Sequence, residues 1–429
     1  MKNMIHKPRL SRLAHLAAST STALSTALAL TTLTALAGPI VSTTSVVVLP
    51  PEKGGSILDS IHLFGTARLR VEFADVDGFD DAHAASLRAR YGIKTDPIAG
   101  FKFLIEGETT VILTDKSEYS AFPTTKGNSS VIADPDNFEL NRFQLSYNIE
   151  ATDTTITVGR QHITFADQRF IGAVGWRQND QTFDAVVVEN KSIENLTFIY
   201  AYIDQVNRIF GDQTPTQSLD RWEGESHLIH IEYDGIEDHT VRAFAYLLDF
   251  DETGVGRANS SDTYGLELQG ENNKVNYLLT AAIQNDGGSN PSNYEECYYS
   301  GQISVKEDSC ELGAGIEVMT SNGKNSFRFP LGTNHKFNGF ADAYLTTPAA
   351  GLIDYYAFVG TKAFGLQHTL IVHNFHTEST STELGWEFDY VAARKIGDNA
   401  KFILKAAHLM GDGPQVDITR ASAEINYSF

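Results

Sequence analysis

The chain has 429 residues, of which 42% are hydrophobic and 10% aromatic, with 33 basic against 54 acidic side chains. This composition excludes a disordered tail and a small disulfide-rich scaffold. The formal charge of −21 argues against nucleic-acid binding, which needs a basic face. Because no Pro/Ser-rich linker follows residue 63, we expect one large domain over residues 64–429.

The first 37 residues are typical of a secretory signal peptide. They begin with cationic side chains, continue as an Ala/Leu/Ser/Thr stretch and end in the small-residue triplet Ala35-Leu36-Ala37. A transmembrane anchor is the alternative, but the many Ser and Thr residues disfavour it. We therefore predict export, with residues 38–63 as a periplasmic lead-in.

From Phe64 onward apolar and polar residues alternate within segments of about ten residues. An alternation with a period of two residues is typical of a β-strand. In residues 67–73 the odd positions are apolar, whereas Arg68, Arg70 and Glu72 occupy the even ones. Such a strand separates an apolar from an aqueous environment. We predict eighteen strands, near residues 64–74, 84–94, 98–112, 138–150, 154–164, 181–190, 194–205, 225–234, 239–250, 262–270, 274–284, 297–306, 309–320, 352–362, 367–377, 382–394, 400–411 and 416–429.

The connections between these strands alternate in length. Short connections such as 95–97 and 235–238 alternate with long ones such as 113–137 and 165–180. This alternation and the even strand number favour an all-β fold, a transmembrane antiparallel β-barrel of the outer membrane. A soluble β-sandwich is the alternative, but the lengths of its loops are less expected to alternate between short and long.

Basic side chains lie on the polar faces of the early strands, with Glu72 and Glu106 as nearby acids. In a barrel these side chains line the lumen. Guanidinium groups bind carboxylate or phosphate bidentately, and rings of positive charge make a pore anion-selective. The alternative is that arginines and glutamates only neutralise one another and brace the wall. The basic residues are Arg68, Arg70, Arg88, Arg90, Lys102, Arg142 and Arg160.

Two blocks of sequence carry a family resemblance. The first contains the segments 159–161, 167–172, 176–178 and 181–185, and the second covers residues 335–342, with Phe340 where Trp is more usual. Both blocks resemble the alginate export family of outer-membrane barrels, and the resemblance spans most of residues 64–429. It implies an 18-stranded barrel with an arginine-rich conduit for an anionic uronate polysaccharide. By motif position it implies that Arg68, Arg70, Arg88, Arg160, Arg169 and Arg177 contact the solute, with Asp184 and Asp342 orienting them.

The sequence thus predicts an outer-membrane porin that transports anionic solutes passively. The solute is an acidic polysaccharide or its oligomers, and the partners are outer-membrane lipid, lipopolysaccharide and periplasmic export proteins. A general diffusion porin is the alternative. A secreted β-rich hydrolase is the less favoured one, since the chain lacks the G-x-S-x-G and H-E-x-x-H motifs. We expect no catalytic residue, metal or cofactor.

Two cysteines, Cys297 and Cys310, flank a predicted turn at Glu307-Asp308. That turn pairs residue 306 with 309, so that Cys310 faces residue 305. The two thiols are then about eight residues apart along the hairpin, on the order of 26 Å. We expect two free thiols, because this separation exceeds the reach of a disulfide.

Overall fold

The computed structural model describes residues 57–123, 128–212, 214–251 and 256–429. The predicted signal peptide (1–37) and most of the lead-in (38–63) lie outside these residues. Eighteen strands occupy the described chain. They are β1 (Ile61–Val76), β2 (Ala82–Thr95), β3 (Phe101–Ile112), β4 (Asn137–Ile149), β5 (Thr154–Gln161), β6 (Thr182–Ile193), β7 (Leu196–Asn207), β8 (Arg221–Ile236), β9 (His239–Leu248), β10 (Ser261–Asn272), β11 (Val275–Asp286), β12 (Glu295–Glu307), β13 (Cys310–Met319), β14 (Leu352–Ala363), β15 (Leu366–His376), β16 (Glu383–Ile396), β17 (Ala400–Gly411) and β18 (Ile418–Ser428).

Each strand pairs antiparallel with its neighbours in sequence, and β1 pairs with β18, so the sheet closes into a barrel. The closing seam is in register from Thr66–Ser428 to Val76–Ile418. Phe429 completes it, because its backbone exchanges two hydrogen bonds with Gly65, of 2.9 and 3.0 Å. The predicted eighteen-stranded barrel is therefore confirmed.

Helical structure is short. One single-turn helix, α1 (Gln217–Asp220), lies between β7 and β8. The 3₁₀ turns are Ile57–Ser60, Lys116–Glu118, Glu150–Thr152, Arg257–Asn259 and Asn334–Lys336. Within the described ranges, no helix is both long enough and apolar enough to cross a membrane.

Tight hairpins connect the strands at one end of the barrel. Asn195, Asp238, Asn273 and Asp308 each adopt positive φ there, as two-residue hairpin turns require. The turn after β12 is Asp308-Ser309, so the predicted turn at Glu307-Asp308 was wrong by one residue. Asp308 takes the positive-φ position, and Cys310 consequently pairs with Glu307. Both cysteines are free thiols, as predicted.

The alternation of each strand divides its side chains between an outer and an inner face. Large apolar side chains cover the outer face, for example Leu312, Leu370 and Phe388, which are about half exposed. Such a band is the lipid-facing surface of a transmembrane barrel. On the inner face lie the polar side chains of the early strands, including Arg70, Glu72 and Arg88.

Three long connections fold into the barrel, and we call them loop A (113–123 and 128–136), loop B (162–181) and loop C (320–351). Loops B and C join through backbone hydrogen bonds from Gly172 to Leu331 (2.8 Å) and from Thr333 to Gln168 (2.9 Å). Loop A is tied to loop B by Asp134, whose carboxylate accepts a 2.9 Å hydrogen bond from the Gln178 amide. The three loops form one inward structure.

An aromatic cluster holds loops B and C against the wall formed by β8–β13. Phe170 packs against Phe244, Tyr298 and Phe329, with ring centroids 4.7–5.7 Å apart. These rings belong to the large buried core of the molecule. One side of the interior therefore contains this aromatic cluster, next to the ion pairs of Arg242 with Glu232 and Glu267, whereas the side under β1–β4, β17 and β18 is mainly charged. Strand alternation does not predict this division, because loop residues complete it.

Candidate functional site

The charged side of the interior contains two arginines next to each other. Arg68 on β1 is directly opposite Arg88 on β2. Arg70 is the next residue of β1 whose side chain points into the barrel. All three side chains are buried or nearly so. Like charges at paired positions destabilise a sheet unless other groups offset them. The groups around each arginine therefore determine what it can do.

Arg68 is held mainly by neutral groups. Its guanidinium donates to the carbonyl oxygens of Gly175, Trp176 and Arg177 at 2.9–3.1 Å, and to the Asn426 side chain at 2.7 Å. The nearest carboxylate, Glu424, is 3.8 Å away. Arg68 thus fixes the backbone of loop B, and it shares its nearest carboxylate with Arg70, which lies closer to that carboxylate.

Arg70 and Arg177 share a buried group of acids. Arg70 contacts Glu424 at 2.9 Å and Asp134 at 3.3 Å, and it also donates to the Trp176 carbonyl. Arg177 contacts Glu72 at 3.0 Å and lies 3.8 Å above the Trp176 ring. Burial opposes ionisation of Asp134, but the two guanidinium groups hold the pKa of that carboxyl below its usual range. These two arginines are neutralised and link loops A and B to the wall.

Arg90 and Arg142 are also paired. Arg90 bonds to Glu108 and lies 2.8 Å from Asp180 of loop B. Arg142 binds the two carboxylate oxygens of Glu106, each at 2.9 Å. Although burial opposes it, Arg90 lowers the pKa of Asp180. Glu106, predicted as an acid near the basic side chains, is thus bonded to Arg142.

Arg88 differs from its neighbours. It is 4% exposed and forms no ion pair with any described residue. Its one hydrogen bond is a 3.4 Å contact to the Gln178 carbonyl, and its Nε has no partner in the described part of the chain. A buried guanidinium without a carboxylate is costly unless another group compensates it.

Lys405 on β17 is a second cation without a carboxylate partner in the described structure. Its ammonium donates to His335 Nε2 at 2.9 Å, and His335 Nδ1 lies 2.7 Å from Asp342. These partners require the neutral ring that carries its proton on Nδ1. Burial lowers the pKa of His335 to about 3. Burial opposes ionisation of Asp342, but His335 and nearby arginines lower its pKa to about 2.

Arg169 lies away from this group. It binds Glu317 at 2.6 Å and Asn338 at 2.7 Å, and its guanidinium stacks 3.8 Å from the Phe329 ring. It joins loop B to loop C and β13. Asp342, predicted to orient an arginine, lies 3.4 Å from Arg177.

Two predicted residues lie elsewhere. Lys102 is exposed at the short-turn end of β3. Arg160 pairs across the sheet with Phe143, whose side chain is on the outer face, and binds Asp184 at 2.7 and 2.9 Å. The assignment of Arg160 to the inner face was therefore wrong. Gly159 has no side chain to reveal the alternation, so the face must be counted from Val158, which points outward.

Several residues of the site were not predicted. Arg420 and Glu424 lie on the polar face of β18, so alternation alone places them inward. Lys405 occupies the equivalent face of β17. Loop residues carry no such signal, because their positions depend on how the loops fold. Those missed in the loops are Asp134, Trp176, Asp180 and His335. Within the described ranges, no cluster of three or more His, Cys, Asp or Glu side chains has a metal-binding arrangement.

Comparison with known proteins agrees with this architecture. Residues 59–293, more than half of the chain, match the family model described as alginate export. No curated protein matches the chain. Its fold is similar to that of OccK1 (OpdK) from Pseudomonas aeruginosa, with a TM-score of 0.67 and 12% identity over 87% of this chain and 100% of that one. OccK9 (OpdG) from the same organism has a TM-score of 0.67 and 13% identity over 87% of this chain and 100% of that one. OccAB4 from Acinetobacter baumannii has a TM-score of 0.64 and 12% identity over 86% of this chain and 98% of that one.

The family match and the closed barrel with an apolar outer face place the chain in the outer membrane. The family and the structural neighbours are channel barrels and not enzymes. The chain therefore belongs to the alginate export family and is an outer-membrane β-barrel of the porin type.

Proposed function

We propose that this barrel passes anionic solutes by passive diffusion, and that its solutes are acidic sugars such as a uronate polysaccharide or its oligomers. The observation that carries the proposal is the adjacent pair Arg68 and Arg88 on the inner wall. Among the described residues, no carboxylate lies closer than 3.8 Å to Arg68 and none forms an ion pair with Arg88. Lys405 adds a third cation of this kind.

Several weak sites suit such a conduit better than one tight site, which would trap the solute. An ion pair between a solute carboxylate and one wall cation contributes only about 0.2–1 kcal/mol where water reaches the pair. Exchange between neighbouring cations is then fast, and net flux follows the concentration gradient. Lipid and lipopolysaccharide surround the wall, and periplasmic export partners belong to the same proposal.

A general diffusion porin is the second candidate, because most of the arginines are already paired. Arg70, Arg90, Arg142 and Arg177 each contact carboxylates within 3.3 Å. In this case the arginines brace the wall and hold the inward loops. The two candidates differ in whether the unpaired cations bind solute.

Current block in a planar bilayer distinguishes the candidates. We expect a trimeric uronate to block the wild-type channel, and a neutral trisaccharide of equal length to block it less. The double variant Arg68→Gln/Arg88→Gln should weaken the uronate block by about three- to tenfold. Arg160→Gln is the control, because it removes a guanidinium from the outer face and leaves both inner-wall arginines in place. Equal block by the two trisaccharides in the wild-type channel would support the general porin.

A further inference from the structure

Two carboxyl groups on the inner face of β16 hold the tip of loop C against the wall. Glu387 and Asp389 are two positions apart, so both side chains point inward, and they are 0% and 2% exposed. Glu387 Oε1 accepts a hydrogen bond from the Ala341 amide at 2.6 Å, and Asp389 Oδ2 accepts one from the Phe340 amide at 3.0 Å. Each acid thus binds one of two consecutive amides of the loop.

The loop fits these groups closely at the two preceding residues. Gly339 has a φ of +85°, and a Cβ atom placed there would lie 2.4 Å from the Glu387 carboxyl group. Glycine, which has no Cβ, allows this approach. The Asn338 side chain donates a 3.1 Å hydrogen bond to Asp354 on β14. Residues 338–341 therefore lie directly on an acidic part of the wall.

The second oxygen of each acid is not bonded to the loop. Glu387 Oε2 and Asp389 Oδ1 are buried and have no hydrogen-bond partner in the described part of the chain. The two carboxyl groups nevertheless lie within hydrogen-bond reach of each other. An ionised carboxylate only accepts hydrogen bonds, so two carboxylates cannot bond to each other without a proton. Carboxyl groups at such short range satisfy the contact by sharing one proton.

The charges around the pair are mostly negative. On β17 the residues opposite the pair are Leu409 and Ala407, which carry no charge. His373 Nε2 lies 3.6 Å from Asp389, but the other nitrogen of the ring is bound to Asp354 at 2.9 Å. A second ionisation of the pair would therefore add a negative charge to an acidic environment. The titratable groups that act on the pair are Asp342 and Tyr344 of loop C, Asp354 of β14 and His373 of β15.

We propose that Glu387 and Asp389 share one proton at neutral pH, and that loss of this proton at alkaline pH releases the tip of loop C from the wall. Two ionised carboxylates in contact repel each other, so they separate and no longer hold the Phe340 and Ala341 amides together. The released tip moves away from the wall, into the lumen. The open channel is therefore interrupted more often as the pH rises. This inference does not depend on the proposed function, because it concerns the loop and not the solute.

Current through the wild-type channel in a planar bilayer, recorded at constant potassium chloride concentration, tests the release. The pH is raised from about 6 to about 9, which stays below the ordinary pKa values of tyrosine and lysine. We expect closures to become more frequent by up to about tenfold per pH unit, because one proton is released. A closure frequency that stays constant over this range would overturn the proposal.

Two variants locate the proton. Glu387→Gln and Asp389→Asn each replace it with amide hydrogens, which a change of pH does not remove, so both channels should stay quiet in alkaline solution. The second variant serves if the first does not fold. Glu383→Gln is the matched control, because Glu383 is on the same strand but exposed, where it binds Asn374 and Trp386. The control should show the wild-type rise, and a rise that persists in both test variants would refute the assignment.

Infrared spectroscopy detects the proton without any channel recording. For the protein in detergent micelles, we expect the difference spectrum between neutral and alkaline solution to contain a carboxylic acid band. Glu387→Gln should weaken this band, and Glu383→Gln should retain it. Absence of the band in the wild type, or its full retention in Glu387→Gln, would overturn the shared proton. Closures that depend on added magnesium ions at constant pH would also overturn it, because a metal ion would then join the carboxylates.

Discussion

Replacing Asp134 should show most clearly how a buried acid affects the docking of the loops and how it affects ion selectivity. Its side chain is 1% exposed and lies between two elements of the charged side. It contacts Arg70 at 3.3 Å and Arg177 at 3.7 Å, and it accepts the Gln178 amide at 2.9 Å. Asp134→Asn retains an acceptor for that amide but removes the charge.

The cost in stability follows from the remaining partners. Breaking a buried ion pair costs about 3–5 kcal/mol when the remaining charge has no other partner. Arg70 retains Glu424, and Arg177 retains Glu72, so we expect about 2 kcal/mol, below that range. The interior also gains one positive charge. At about 6 Å and an effective dielectric constant of 20, that charge stabilises a passing anion by roughly 3 kcal/mol before screening by salt.

Two assays follow the Asp134→Asn variant. Urea unfolding in detergent micelles gives the loss of stability, and the reversal potential in a planar bilayer gives the selectivity, which should shift toward anions. Asp115→Asn is the control, because Asp115 is in the same loop, changes the total charge equally and is exposed. If both variants leave the reversal potential unchanged, Asp134 does not act on the solute path. If stability is also unchanged, the ion network does not hold the loops.

Three further predictions concern the inward loops. Because folding holds the pKa of His335 near 3, whereas the unfolded ring has its ordinary pKa near 6.5, stability should fall as pH decreases from about 6.5 toward 3, by up to about 1.4 kcal/mol per pH unit. His335→Gln should flatten that slope in urea titrations, and an identical slope would refute the assignment. Glu387→Ala removes the acceptor of a 2.6 Å hydrogen bond from a loop C amide and should increase single-channel current noise. Glu387→Gln should not increase it. Equal current noise in the two variants would contradict this role of Glu387. Phe170→Ala should cost about 3 kcal/mol in urea unfolding, whereas Phe364→Ala, at a 95% exposed turn position, should cost little.

The barrel follows from the sequence because two local rules act on every strand. Alternation assigns side chains such as Leu69 and Arg70 to opposite faces, and turn residues such as Asn195 and Asp238 fix the hairpins. All eighteen predicted strands overlap the observed ones. Two predictions were wrong, the face of Arg160 and the position of the turn after β12. In both places the local rule carries little information, because Gly159 has no side chain and because the turn at Asp308-Ser309 could be shifted by one residue.

The site is only partly predictable. Inward arginines such as Arg88 follow from strand parity, but their pairing depends on acids that loops bring in. Asp134 and Asp180 are 64 and 90 residues from the arginines they bind, Arg70 and Arg90, and no periodicity links them. The sequence therefore suggests an excess of positive charge, much of which the folded loops neutralise. Which cations stay unpaired therefore depends on the tertiary structure.

We propose above that the cations inside this barrel that form no close ion pair favour the passage of anions. The most direct measurement is the zero-current reversal potential of the wild-type protein in a planar bilayer with a potassium chloride gradient, repeated at high salt. We expect a reversal potential of the sign set by chloride, smaller at high salt because dissolved ions screen the attraction between these cations and passing anions. A potential of the sign set by potassium, or none at low salt, would contradict it.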